Sequence, residues 1–109
     1  MHMIQLATQK EMDIKTQRNT TELTITPVGE LNAVTTPELA ELLKNNLPGI
    51  DHLIIDFSDC DYVSSAGLRL LLGTFKEMKT KKGHMQLVNV GENFTEVLVN
   101  TGLDAVFDI

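Results

Sequence analysis

Residues 53–69 read Leu53-Ile54-Ile55-Asp56-Phe57-Ser58-Asp59-Cys60-Asp61-Tyr62-Val63-Ser64-Ser65-Ala66-Gly67-Leu68-Arg69, and this stretch decides the fold. Leu53 to Phe57 is nearly continuous and apolar, the pattern of a strand buried on both faces. Ser58 to Val63 is a polar link that carries Asp59 and Asp61. A helix then runs from about Ala66 to Lys79, with Leu68, Leu71, Leu72, Phe75 and Met78 as its apolar stripe. Lys76, Lys79, Lys81 and Lys82 gather at its carboxyl end, where cations meet the negative pole of the helix dipole, and Lys82-Gly83 ends it. A buried strand that feeds a helix is the building unit of a parallel sheet with right-handed crossovers.

The alternation continues in both directions. Downstream, Met85 to Val90 forms a strand, Phe94, Val97 and Leu98 mark a third helix, and Gly102 caps it. Val106-Phe107 is expected to add a last short strand. Upstream, Thr36-Pro37-Glu38 opens a helix: Thr36 can cap, Pro37 suits the first helical position, and Glu38 and Glu41 sit at the positive pole. Leu39, Leu42, Leu43 and Leu47 follow helical spacing, and Pro48-Gly49 stops it. Before that helix, Met12-Asp13-Ile14 and Leu23-Thr24-Ile25-Thr26 alternate and read as a hairpin around Arg18-Asn19-Thr20, its second strand ending or bulging at Pro27.

These elements predict an α/β fold: one mixed sheet of about four to five strands with helices packed against it. Residues 1–9 are expected to be a flexible segment or an edge strand, and residues 10–109 a single domain. Leu71 and Phe75 are expected in the core, with Phe75→Ala costing about 3–5 kcal/mol.

Composition narrows the function. The chain has 109 residues, 42% of them hydrophobic and 22% charged, which is enough for one self-sufficient core without disulfides. The net charge of −6 argues against nucleic acid as a partner. No apolar run reaches membrane-spanning length, and Met1 to Leu6 lacks the basic start and long apolar stretch of a signal peptide, so a cytoplasmic protein is expected. The single cysteine, Cys60, has no Cys or His partner at metal-ligand spacing and reads as a buried or half-buried thiol.

Two hydroxyls, Ser64 and Ser65, meet the free backbone N–H groups at the start of the second helix, on the sheet edge where ligands and chemistry gather. Taken by themselves they fit two readings. Ser64 can cap the helix with Ser65 as an ordinary first-turn residue, or the pair can be a modification site.

The segment Val63 to Arg69 resembles the signature of the STAS family, in which an acidic residue and two small hydroxyl residues precede Gly-Leu-Gly. Gly29-Glu30-Leu31-Asn32 is similar to the family's Gly-Glu-Leu-Asp, and Thr101-Gly102-Leu103 to its Ser-Gly-Leu. The likeness spans roughly residues 10 to 109, nearly the whole chain, and is specific for the family's fold; within the family the chain looks like the anti-sigma factor antagonists. It implies that Ser65 is the residue phosphorylated by a partner kinase. The unphosphorylated form would bind an anti-sigma factor, often that same serine kinase, and so regulate transcription by partner switching, with a phosphatase restoring the cycle. No cofactor, metal or catalytic role is expected, and since nothing in the sequence demands an oligomer, a monomer is expected when free.

The implied partner surface comprises Glu30, Asn32, Ser64, Ser65, Ala66, Gly67 and Arg69. The sequence departs from the family pattern at four of these. Ser64 stands where the family has an aspartate, Ala66 replaces a hydroxyl residue, Arg69 a glycine and Asn32 an aspartate. Two acidic groups are thereby absent from the kinase-facing surface. Arg69, one turn beyond Ser65, is either a phosphate partner or a solvated helix residue. The alternative function is a STAS docking subunit of a lipid-transport or sensory complex that works without phosphorylation.

Other chemistries fit less well. A serine hydrolase needs a Gly-x-Ser-x-Gly elbow that Ser65 lacks, and His52 and His84, each beside a strand, read as structural or solvent-facing. Asp56, Asp59 and Asp61 lack the glycine and distal glutamate of a calcium loop and read as a solvated acidic segment. A phospho-aspartate receiver needs an acidic pair that Met12-Asp13-Ile14 does not offer.

Overall fold

Leu23 and Ile25, Leu53 and Ile55, and Met85 and Leu87 are buried side chains on three neighbouring strands, and they define the inner face of the sheet. The computed structural model describes residues 12–107. Its strands are β1 (Asp13–Asn19), β2 (Glu22–Val28), β3 (Glu30–Leu31), β4 (His52–Asp56), β5 (Tyr62–Val63) and β6 (His84–Val88). Its helices are α1 (Thr36–Asn46), α2 (Ser65–Thr80) and α3 (Glu92–Thr101), followed by a 3-10 turn at Leu103–Ala105. The order β1-β2-β4-β6 makes a four-stranded mixed sheet, antiparallel between β1 and β2 and parallel thereafter. This is the α/β arrangement expected. The segment 1–9 lies outside the described residues.

The helices bury Leu39 and Leu43 of α1, Leu71, Thr74 and Met78 of α2, and Phe94 and Leu98 of α3, and their apolar side chains join the inner-face residues in one core. The opposite face carries Glu22, Thr24, Thr26, His52, Ile54, Asp56, Gln86 and Val88, all half-buried. The apolar run at Leu53–Phe57 therefore does not mark a strand buried on both faces. Only Leu53, Ile55 and Phe57 are buried, alternating as on a sheet covered on one side.

Several boundaries differ from the sequence reading for identifiable reasons. β1 runs through Arg18 and Asn19, so the hairpin turns at Thr20-Thr21, with Thr20 at φ 56°. Pro27 sits inside β2, opposite Ile14, because pairing with β4 stops at Ile25 and the strand beyond it is paired on one side only. The cap position of α1 is Thr35, and Thr36 is the first helical residue. β6 ends at Val88, before Asn89 at φ 54°. No strand forms at Val106-Phe107: the 3-10 turn precedes it, and buried Phe107 meets Phe75 edge-on at 5.7 Å between ring centres. Phe75 is itself only half-buried, packed on the edge of the core beneath Lys79, so truncating it costs less than expected for a core ring. Val97 of α3 is exposed rather than part of the core. Gly102 caps α3 as expected, at φ 76°.

Candidate partner-binding site

Because β2, β4 and β6 are parallel, the loops that follow them emerge at one edge, the carboxyl edge of the sheet. There β3 and β5 pair as a two-stranded parallel ribbon, Glu30 opposite Tyr62 and Leu31 opposite Val63. The Gly29 N–H donates to the Asp59 carbonyl at 3.0 Å and the Ser64 N–H to the Leu31 carbonyl at 2.8 Å, so the ribbon is tied at both ends. It holds the loop after β2 directly beside the start of α2. Sequence reasoning missed this ribbon, since two-residue strands carry no readable period.

The loop between β3 and α1 is held by its own polar groups. Asn32 Oδ1 accepts from the Val34 N–H at 2.9 Å and the Thr35 N–H at 3.1 Å. The buried Thr35 hydroxyl donates to the Glu30 carbonyl at 2.6 Å and accepts from the Asn32 N–H at 2.9 Å. Asn32 is half-buried and its carbonyl oxygen is committed to the loop, so this position shapes the surface more than it offers itself to a partner.

Ser64 and Ser65 separate into two roles. Ser64 has extended backbone (φ −79°, ψ 174°), and its hydroxyl accepts from the Gly67 N–H at 3.3 Å as the cap of α2. Ser65 is the first helical residue and its side chain is exposed. Arg69, one turn on, is also exposed, and Ala66 is half-buried. Gly67 is a correction to the expected partner surface because it is buried. A Cβ there would stand 2.9 Å from Leu31 Cγ and Cδ2 and 3.0 Å from Val63 Cγ1. The glycine lets the first turn of α2 rest on the ribbon.

Electrostatics at this edge are acidic but partly compensated. Glu30 and Asp61 are exposed, while Asp59 lies 3.6 Å from Lys15 Nζ on β1. Asp56 accepts from Asn89 Nδ2 at 3.0 Å and from the Ser58 N–H at 2.9 Å. These bonds, the Asn89 one foremost, hold its carboxyl below the usual value. The stabilisation is present at neutral pH and is lost on acidification through the lowered pKa. Cys60 is buried, and burial pushes its thiol up, with a smaller push from Asp61 and Glu30. It is thus a packed thiol, as expected from its isolation in sequence.

Two apolar residues sit on the segments that form the site and were not singled out from sequence. Val34 is 63% exposed in the loop before α1 and Tyr62 is 49% exposed on β5. A tyrosine on an isolated two-residue strand gives no periodic signal of which way it faces. Among the described residues no helix is long and apolar enough to cross a membrane.

A parallel ribbon bracing an exposed serine at a helix start, on the carboxyl edge of a four-stranded mixed sheet, defines a small α/β domain with one built, exposed edge. The STAS domain family model matches residues 11–109, and the chain belongs to that family. The anti-sigma-B factor antagonist of Bacillus subtilis is 29% identical over 98 residues, covering 90% of each chain. The crystal structure of an anti-sigma factor antagonist from Mycobacterium paratuberculosis superposes with a TM-score of 0.78 at 23% identity, covering 89% of this chain and 83% of that one. The Bacillus cell fate determinant SpoIIAA in its phosphorylated form gives a TM-score of 0.71 at 19% identity, covering 85% of this chain and 86% of that one. The family and the fold expected from the residues are thereby borne out.

Proposed function

We propose that this chain is an anti-sigma factor antagonist whose binding to an anti-sigma factor, itself a serine kinase, is switched off by phosphorylation of Ser65. The observation that carries this reading is the division of labour at the start of α2. Ser64 spends its hydroxyl on the cap, while Ser65 presents a free hydroxyl on the adjoining exposed turn. The likeness to the antagonist of Bacillus subtilis over most of both chains supports the same reading.

Phosphorylation at this place changes a surface without unmaking a fold. A phosphoryl group adds about −1.5 to −2 charges and three acceptor oxygens. The helix N-terminus beneath it tolerates an anion. Exposed Glu30 and Asp61, on the segments that form this edge, are already negative, so the surface becomes more strongly acidic and repels a partner that fitted the unmodified form. The partner surface in this reading is Ser65, Arg69 and Glu30 with Val34 and Tyr62, shaped from behind by Asn32, Ser64, Ala66 and Gly67. The protein acts by binding, without a catalytic centre of its own, in the cytoplasm, as a monomer when free, and a phosphatase resets it.

The intact mass of the protein from its own cells, wild type beside Ser65→Ala, tests this. One phosphoryl group on the wild type and none on the variant is expected. Absence of the group in every growth condition would overturn the switch. It would favour the second reading, a constitutive docking subunit of a lipid-transport or sensory complex, which the Ser64, Ala66 and Asn32 departures from the family pattern support.

A further inference from the structure

At the opposite, amino end of the sheet, β2, β4 and β6 place Glu22, His52 and His84 in one row. Glu22 is the register partner of His52, and His52 is the register partner of His84. Register partners on neighbouring strands project to the same face, here the half-exposed one. Glu22 Oε2 lies 3.1 Å from His52 Nδ1, and the two imidazole ring centres are 6.0 Å apart, inclined at 52°. The His52 side chain is 35% exposed and that of Glu22 44%, and His84 is exposed, so an ion from solvent reaches the rings without any rearrangement of the core.

We propose that His52 and His84 form a two-imidazole chelate for a divalent transition-metal ion of the zinc, nickel or copper class, with Glu22 as the residue that positions His52. Imidazole nitrogens are the preferred ligands of these ions. Two imidazoles sharing one tetrahedral ion at about 2.0–2.1 Å from each nitrogen bring their ring centres to about 5–6 Å, which small side-chain rotations reach from the observed spacing. The carboxylate at His52 Nδ1 selects the tautomer that carries its proton there and leaves Nε2 with a free lone pair. That is the carboxylate–histidine–metal pattern of bound sites. Among the described residues no set of three or more His, Cys, Asp or Glu could hold an ion. The chelate therefore supplies two protein ligands and leaves the remaining positions to water or to a ligand from another molecule. Because the two histidines are on different strands, a bound ion clips β4 to β6, and binding to the folded chain alone raises its stability by mass action.

The test is a zinc titration of the full chain by calorimetry, with thermal unfolding followed in parallel and magnesium as the control ion. Saturable binding of one zinc ion and a rise in Tm are expected, with no effect of magnesium. His84→Ala and His52→Ala should each abolish the saturable binding, and Glu22→Gln should weaken it about 10- to 100-fold while leaving the stoichiometry unchanged. The proposal assigns no ligand role to the remaining histidine, His2, so His2→Ala should bind as the wild type does. No saturable zinc binding, or binding that survives His84→Ala or is lost in His2→Ala, overturns the proposal. Since His52 and His84 are only half-buried or exposed, these variants should fold, and their circular dichroism spectra verify it.

Discussion

The covered face of the four-stranded sheet and the ribbon at its carboxyl edge are held together by different forces. On the sheet, Leu23, Ile25, Leu53, Ile55 and Leu87 are at most 1% exposed and lock against Leu71 and Leu98. The stabilisation there is apolar burial, roughly 25 cal/mol for each Å² removed from water. At the ribbon, Leu31 is the one fully buried anchor in the core, and the rest of the order comes from two register pairs, backbone bonds at Gly29 and Ser64, and the Asn32–Thr35 hydrogen bonds. A net hydrogen bond contributes only about 0.5–1.5 kcal/mol. The sheet thus carries most of the stability, and the ribbon carries a shape. A surface built in this way can change partners, because a charge added there meets little of the core.

Substitutions of graded severity break or sharpen that contrast. Leu71→Ala, deep in the core, should destabilise by about 2–5 kcal/mol in denaturant unfolding. A loss below 1 kcal/mol would mean that α2 does not pack as described. Gly67→Ala places a methyl group against Leu31 and Val63 and should cost about 1–3 kcal/mol through displacement of the ribbon. If ribbon and sheet are separable, amide exchange should accelerate at Glu30–Leu31 and Tyr62–Ser64 well before it does at Leu53–Ile55. Ser64→Ala removes the cap of α2 and should cost about 1 kcal/mol. Smallest of all, Ser65→Asp should change stability by no more than about 0.5 kcal/mol, as for an exposed surface position, yet weaken binding to the proposed anti-sigma factor partner. A large loss of stability in that variant would place Ser65 in the scaffold with Ser64.

The extent to which the chain could be read in advance follows the same division. Periodicity marked α1, α2 and α3, and alternation or apolar runs marked β2, β4 and β6, since each packs a repeated face against the core, whereas β1, exposed except at half-buried Ile14, was marked only by the short alternation at Met12-Asp13-Ile14. Reading failed where neighbours outvote local preference. Pro27 is accommodated in a strand because one side of it lacks a partner, and at Val106-Phe107 the buried Phe107 packs against Phe75, with Val106 exposed, instead of extending the sheet. Within the site, Ser64 and Ser65 were both legible as residues at a helix start, but which of them caps was decided by backbone geometry. The burial of Gly67 depends on Leu31, 36 positions earlier in the chain, by the difference 67 − 31. No window on the sequence around Gly67 contains that neighbour.

By itself, then, the sequence determined the order of the four sheet strands and three helices, the apolar stripes of the helices, the serine pair before a glycine and the family to which these belong. Local spacing and side-chain chemistry specify such features without reference to distant residues. Only the tertiary structure decided that the Gly29–Asn32 loop is stitched to the start of α2, that Val34 and Tyr62 are exposed on the same two segments, and that Glu22, His52 and His84 share a row. Each of these depends on the register between strands far apart in the chain, and register is settled when the whole inner face is buried at once.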